Sequence, residues 1–238
     1  MQFFVGTSGY SYKEWKGTFY PKKLPQKEML SYYAQRFSTV EINNSFYKMP
    51  SESVLESWAE QTPDSFRFAF KAPQTITHRK RLKNMEEETD QFLHTASVLN
   101  GRQGPLLFQL PPNFKKDLSR LESFLNFIDN RTAVAFEFRH ESWKDNEVID
   151  CLRANSYALC AADMDENPCA ELVHTADWGY VRLRGEGYTD EELAKWIERI
   201  RSQNWTEAYV FFKHEDTGTG PVLAARFLEL AGVNPAIH

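Results

Sequence analysis

Long apolar runs are missing from this sequence. None approaches the roughly 20 residues that cross a bilayer as a helix, so no membrane partner is expected. The N-terminus, Met1-Gln-Phe-Phe-Val-Gly-Thr-Ser-Gly9, has no basic region followed by an extended apolar core, and is not read as a secretory leader. Cysteine is scarce. Cys151, Cys160 and Cys169 are odd in number and form no CxxC pair, which argues against a disulfide framework and predicts reduced thiols in a cytoplasmic protein. Positive charge is not in excess. Lys and Arg total 28 against 33 Asp and Glu, a net charge of −5. Nucleic acid is therefore not favoured as a partner held by bulk charge, although a local basic patch still suits an anion. Also missing are HExxH, a phosphate-binding P-loop, a nucleophile elbow and Cys/His metal spacing. Gly6-Thr-Ser-Gly9 does not fit the glycine fingerprint that marks a doubly wound dinucleotide fold.

What remains is an ordinary globular balance, 42% hydrophobic and 26% charged over 238 residues, suited to one large domain. No linker, repeat or low-complexity segment divides residues 1–238. Apolar segments suited to strands recur at Phe3–Gly6, Thr39–Asn43, Phe66–Lys71, Leu106–Leu110, Ala133–Arg139, Tyr157–Ala162, Gly179–Arg184 and Ala208–Lys213. Helical periodicity lies between them: Pro25–Arg36, a segment capped by Ser51, Met85–Leu99, Leu118–Ile128, a segment starting at or after Ser142, one capped by Thr189 or Asp190, and Pro221–Leu230. Alternating strand–helix units imply a parallel sheet. About eight of them in this length predict a single-domain α/β (β/α)8 TIM-type barrel.

The stretch Ala133-Val-Ala-Phe-Glu-Phe-Arg-His-Glu-Ser-Trp143 is the most informative. Alternation puts Val134, Phe136 and Phe138 on one face and Ala135, Glu137 and Arg139 on the other. An ion pair on a buried strand costs several kcal/mol per ion in desolvation before partners compensate. It is either a structural Glu–Arg pair or the opening of a site. In a barrel, C-terminal strand ends and the loops after them line the active face. Those positions hold Ser8 and Tyr10, Glu41 and Asn43, Lys71, Gln109, Glu137 and Arg139, Asp163, Arg182 and Arg184, and Lys213 with His214.

Two chemical subsets emerge. Glu41, Glu137 and Asp163, with His140 close to one of them in sequence, could share general acid and base work. They could equally hold a divalent cation as cofactor through oxygen ligands. Lys71, Arg139, Arg182, Arg184 and Lys213 suit capture of a carboxylate or phosphate. Arg184-Gly-Glu-Gly187 and Asp216-Thr-Gly-Thr-Gly220 follow strands seven and eight, the usual phosphate-binding loops of such barrels. Gly218 and Gly220 would allow close backbone approach, while Glu186, Glu215 and Asp216 oppose an anion. His78 lies in a basic segment with Arg79, Lys80, Arg81 and Lys83, which reads first as a solvated loop. Tyr10, Tyr12, Trp15, Phe46, Tyr47 and Trp143 could stack on a ligand or plug the barrel mouth.

These motifs also occur as an ordered set. Gly6-Thr-Ser-Gly-Tyr10, Thr39-Val-Glu-Ile-Asn43 with Ser45-Phe-Tyr47, Phe68-Ala-Phe-Lys71 with Thr77-His78, Phe108-Gln-Leu-Pro-Pro112, Glu137-Phe-Arg-His140 with Ser142-Trp143, and Tyr180-Val-Arg-Leu183 together resemble the DUF72, or YecE-like, family. The resemblance spans nearly the whole chain and implies a TIM-type barrel. It implies no reaction. Two positions depart from the family pattern. Arg184-Gly185 stands where His-Gly is typical, and Lys213-His214 where a pair of asparagines is common. Both changes add positive charge to the anion side. Three functional readings stay open: an enzyme acting on a small anionic substrate, phosphorylated or not; a divalent-metal hydrolase or nuclease; and a binding or scaffold protein without chemistry.

Overall fold

The computed structural model describes residues 1–129, 131–164, 170–185, 187–213 and 218–233. Cys169, Glu186, His214, Glu215 and Asp216 lie outside the described residues. The strands are β1 (Gln2–Thr7), β2 (Thr39–Ile42), β3 (Arg67–Lys71), β4 (Gln103–Gln109), β5 (Val134–Glu137), β6 (Ala158–Leu159), β7 (Ala161–Asp163), β8 (Trp178–Leu183) and β9 (Glu207–Phe212). The helices are α1 (Met29–Ala34), α2 (Glu52–Glu60), α3 (Glu86–Ser97), α4 (Leu118–Ile128), α5 (Asn146–Ala154), α6 (Asp190–Arg201) and α7 (Thr219–Leu230).

Every strand pairing is parallel. The ladder divides into two sheets, β1-β9-β8-β7 and β2-β3-β4-β5-β6, where the sequence suggests one continuous barrel. Both interruptions are local. Between β6 and β7 the strand lapses for the single residue Cys160, whose backbone N–H still donates to the Phe136 carbonyl at 2.8 Å. Between β1 and β2 the hydroxyl of Tyr33 is inserted. It accepts the Thr7 N–H at 2.8 Å and donates to the Thr39 carbonyl at 3.0 Å. Direct pairing there is reduced to a bridge between Ser8 and Glu41, with the Gly9 N–H donating to the Glu41 carbonyl at 2.8 Å. Gly6 is required at this seam, because a Cβ would come within 1.9 Å of the Thr39 carbonyl oxygen.

Alternation along β5 is as expected. Val134 and Phe136 join the large core beneath the helices. There Phe136 stacks on Phe108 at 5.6 Å, and Phe108 meets Phe124 of α4 edge-on at 5.2 Å. Burying each such ring stabilises the fold by roughly 1.5–3 kcal/mol. Ala135 belongs to a second cluster, with Phe4, Ala69, Leu107, Cys160, Tyr180 and Phe211, that draws on strands of both sheets. Because all strands run the same way, their C-terminal ends gather on one face.

Helix ends are fixed by short polar side chains. Asp117, Asp145 and Thr189 each accept an N–H of the first turn, Thr189 in a reciprocal capping box with Glu192, of the kind worth about 1 kcal/mol. The helix expected at or after Ser142 is α5, which begins at Asn146, with Ser142 itself in a single 3-10 turn just before it. Two segments differ from expectation. Ser51 makes no cap bond, and its hydroxyl meets Ser53 instead. The basic segment opens as a π-helical turn, Thr75–Arg79, rather than as a plain loop. No helix of the described residues is long and apolar enough to cross a membrane.

Candidate functional site

The strand-end face is organised around one guanidinium. Arg182 projects from β8 and is 2% exposed, while Glu41 on β2 and Glu137 on β5 are 0% and 2% exposed. Arg182 Nη2 donates to Glu41 Oε1 at 2.8 Å, and Nη1 donates to Glu137 Oε2 at 2.6 Å. The remaining carboxylate positions are also taken. Glu41 Oε1 accepts Ser8 Oγ at 2.7 Å and Asn43 Nδ2 at 3.0 Å, and Oε2 accepts the Tyr180 hydroxyl at 2.8 Å. Glu137 Oε1 accepts Gln109 Nε2 at 2.8 Å and also Arg139 Nε.

Electrostatics follow from these contacts. Burial pushes the Glu41 carboxyl up, but the charge and hydrogen bonds of Arg182, with the Ser8 hydroxyl, bring it down to about 2. Burial likewise opposes ionisation of Glu137, and Arg182 and Arg139 win, holding it below the usual carboxylate range. Both residues are ionised at neutral pH with their oxygens occupied. Arg182 fills the space between the two carboxylates. Asp163 is turned elsewhere, its Oδ2 accepting the Tyr188 hydroxyl at 2.6 Å. The donor set therefore does not converge on a divalent ion, and the described residues contain no other group of three His, Cys, Asp or Glu suited to one.

Above the triad is a cavity of about 360 Å³ lined by Ser8, Tyr12, Asn43, Phe46, Tyr47, Lys71, Gln109, Arg139, Arg182, Arg184 and Lys213. This is within the roughly 300–1,000 Å³ of small-molecule sites. Five of the lining side chains are cationic and, among the described residues, none is acidic. Arg184 Nη1 and Arg182 Nε are buried and have no hydrogen-bond partner among the described residues. Buried donors are nearly always satisfied, so two orphans at one cavity are notable. Lys71 points its ammonium at the Phe46 ring, 4.3 Å from the centroid. Burial first, and the Arg182 charge second, lower its pKa to about 8. His78 does not line the cavity but meets the Phe46 ring in a T-shaped contact at 4.8 Å. Burial and the charges of Lys71, Arg139 and Arg81 lower its pKa too.

Nine of the sequence-selected residues thus line this cavity: Ser8, Asn43, Tyr47, Lys71, Gln109, Arg139, Arg182, Arg184 and Lys213. Glu41 and Glu137 stand directly behind it. Others lie apart. The Tyr10 ring packs against Tyr33 and Trp58. Trp143 is buried, donating its indole N–H to the Phe114 carbonyl at 2.6 Å and stacking on Phe138 at 4.7 Å. His140 Nδ1 accepts the Ser142 N–H at 3.1 Å and caps the turn before Trp143. Gly218 begins α7 at a φ of 78°, where a Cβ would meet Thr18 Oγ1 at 2.6 Å.

Sequence reasoning left Tyr180 out, although it shares a strand face with Arg182 by simple parity. It named Tyr12 and Phe46 only among stacking aromatics. Tyr12 is held in place by its hydroxyl, which donates to the Ser8 carbonyl at 2.8 Å. Gly9 makes room for it, since a Cβ there would meet that hydroxyl at 2.3 Å.

Comparison with known proteins bears on family. A protein-family model, Protein of unknown function DUF72, matches residues 4–237. The UPF0759 protein YecE of Escherichia coli K12 is 38% identical over 112 residues, 47% of this chain and 41% of that protein. The UPF0759 protein YunF of Bacillus subtilis 168 is 24% identical over 226 residues, 89% of this chain and 78% of that protein. Among solved structures, a DUF72 family protein from Thermotoga maritima superposes with a TM-score of 0.83 at 27% identity, covering 98% of this chain and 100% of that one. A DUF72 family protein from Enterococcus faecalis shares the fold, with a TM-score of 0.81 at 19% identity over 98% of this chain and 96% of that one. With the family model matched over nearly its whole length, and relatives of the same family in both sequence and structure, the chain belongs to the DUF72 family.

Proposed function

We propose that this protein is an enzyme acting on a small anionic substrate, a carboxylate or phosphate ester, in the cavity above Arg182. The observation that carries the reading is the cavity's lining, five cationic side chains with two unused buried guanidinium donors. A bound anion would satisfy both orphans and would relieve repulsion among like charges packed in a low-dielectric space. Glu41 and Glu137 act in this reading as positioning residues. Ionised and fully hydrogen-bonded, they aim Arg182 and Arg139. Proton transfer falls to Lys71, whose pKa burial and the neighbouring Arg182 charge lower to about 8, toward neutrality, where acid–base catalysis is most effective. The two sheets work as one (β/α)8 barrel. Supporting this, Tyr33 bridges the β1–β2 seam, and Cys160 alone separates β6 from β7.

Two other readings have less behind them. A metal-dependent hydrolase would need carboxylate oxygens that Arg182 already occupies. Nucleic acid as a partner is opposed by the net charge of −5. The free thiols of Cys151 and Cys160 are compatible with a cytoplasmic protein.

The test is a thermal-shift screen with inorganic phosphate, phosphorylated metabolites and small oxo and hydroxy acids, with an Arg139→Gln/Arg184→Gln variant beside the wild type. A ligand at 100 times its Kd stabilises the native state by about 2.7 kcal/mol. Stabilisation by an anion that the folded variant no longer shows is the expected result. Equal responses of both proteins, or none at all, would overturn the proposal.

A further inference from the structure

Lys71 differs from the arginines around it because it is an amine. The backbone that carries it is clamped at the end of β3. Its carbonyl accepts the Ser45 hydroxyl at 2.7 Å, and the next N–H, of Ala72, donates to the Leu107 carbonyl at 2.9 Å. The side chain enters the cavity and rests over the Phe46 ring at 4.3 Å. No carboxylate of the described residues forms a salt bridge to it. Glu41 and Glu137, the acids within electrostatic reach, are committed to Arg182 and Arg139. Arg182 and Arg139 also face it as like charges, with Arg184 and Lys213 in the same lining and His78 against the same Phe46 ring. An amine desolvated beside other cations is the arrangement that makes lysine nucleophilic near neutral pH.

We infer that Lys71 is a covalent nucleophile whose amine condenses with the carbonyl carbon of a small oxo acid or aldehyde phosphate, the anionic end of which rests on Arg139 and Arg184. The inference builds on the anion-binding reading above and names its substrate class. The neutral amine adds to the carbonyl carbon, forming a C–N bond while the π electrons move to oxygen. Nitrogen releases a proton and oxygen takes one, giving a carbinolamine. The C–O bond then breaks, the oxygen leaves as water, and a C=N bond remains. Amine plus carbonyl gives imine plus water, with no change of oxidation state and no other reactant. An arginine at this position could not do the same.

At pH 7 an amine with a pKa of about 8 has roughly 300 times the neutral fraction of one at the ordinary value of 10.5. Lys71 should therefore be trapped far ahead of surface lysines. The protein is incubated at pH 7 with glyoxylate or glycolaldehyde phosphate and sodium cyanoborohydride, which reduces the imine to a stable secondary amine. Intact mass and peptide mapping then locate the adduct. The expected result is one dominant adduct on Lys71, at least tenfold faster than on any exposed lysine. It should be suppressed by inorganic phosphate and absent from Lys71→Arg, which keeps the charge, and from Lys71→Met. Because the mapping is done on the wild type, it stands even if a variant fails to fold. Labelling spread over surface lysines, with Lys71 no faster, overturns the inference. Anion-dependent thermal stabilisation without a Lys71 adduct leaves the anion reading in place and removes this one, while absence of both effects removes both.

Discussion

Replacing Arg182 with methionine keeps most of the side-chain volume and removes the single charge that separates two buried carboxylates. The size of the effect can be worked from Glu41. A carboxyl held at about 2 against an ordinary value of 4.5 corresponds to about 3 kcal/mol of native-state stabilisation. Glu137 is lowered by the same guanidinium and adds in the same direction. Breaking a buried ion pair by removing one partner costs about 3–5 kcal/mol, so we expect the upper part of that range at pH 8. For a chain of this size that lowers Tm by between about 8 and 20 °C. The pH dependence has a definite sign. In the wild type the folded pKa of Glu41 lies below the unfolded one, so its contribution is present above about pH 4.5 and is lost as pH falls toward 2. In Arg182→Met, burial acts without that guanidinium and pushes both carboxyls up. The variant's deficit is then largest at pH 8 and shrinks toward pH 5 as they protonate. Urea denaturation followed by tryptophan fluorescence at the two pH values measures this directly. A deficit under about 1 kcal/mol, or one equal at pH 5 and pH 8, would show that the carboxylates are not held by Arg182 and would refute the reasoning. Adding Glu41→Gln and Glu137→Gln to the variant should recover part of the loss, because the unpaired charges are then gone.

Two further outcomes are expected. Tyr33→Phe leaves the Thr7 N–H and the Thr39 carbonyl without the hydroxyl that joins them, which should cost about 1–3 kcal/mol and speed amide exchange at Thr7. Unchanged stability and exchange would mean that β1 and β2 pair without it. Trp143→Phe loses the bond to the Phe114 carbonyl and should destabilise by about 1–3 kcal/mol, while the anion response in the thermal-shift assay stays as in the wild type. A lost anion response in the folded variant would return Trp143 to the site.

Much of this architecture is legible in the sequence because period-two alternation and helical periodicity are local signals. The inward placement of Glu137 and the outward placement of Phe136 follow from one residue of offset on β5. The cavity lining is legible for a related reason. In a parallel arrangement the residues at strand ends share one face, so Lys71, Arg139, Arg182 and Arg184 could be grouped without coordinates. What could not be read is who pairs with whom. Glu41 as an acid, a metal ligand or an ion-pair partner is decided by Arg182, 141 positions away. Trp143 looks like a stacking residue from its loop position, but its indole N–H found a carbonyl on the neighbouring loop. The Tyr33 seam is equally invisible, since nothing in the α1 sequence signals that a hydroxyl will be spliced between two strands.

The order in which the triad is encoded has a consequence for how the chain matures. Glu41 and Glu137 both belong to the five-stranded sheet, and the cation between them belongs to the other. During synthesis the first five strands emerge with two acids facing each other and no Arg182 to set between them. Arg139 is by then beside Glu137, but Glu41 has no cation yet, so we expect the closely packed form of that portion to wait for β8. Contacts so distant in sequence are closed against a larger loop entropy and are among the later ones expected to form. The same contact acts as a completeness check, because the cationic cavity is assembled only on molecules whose two sheets have come together.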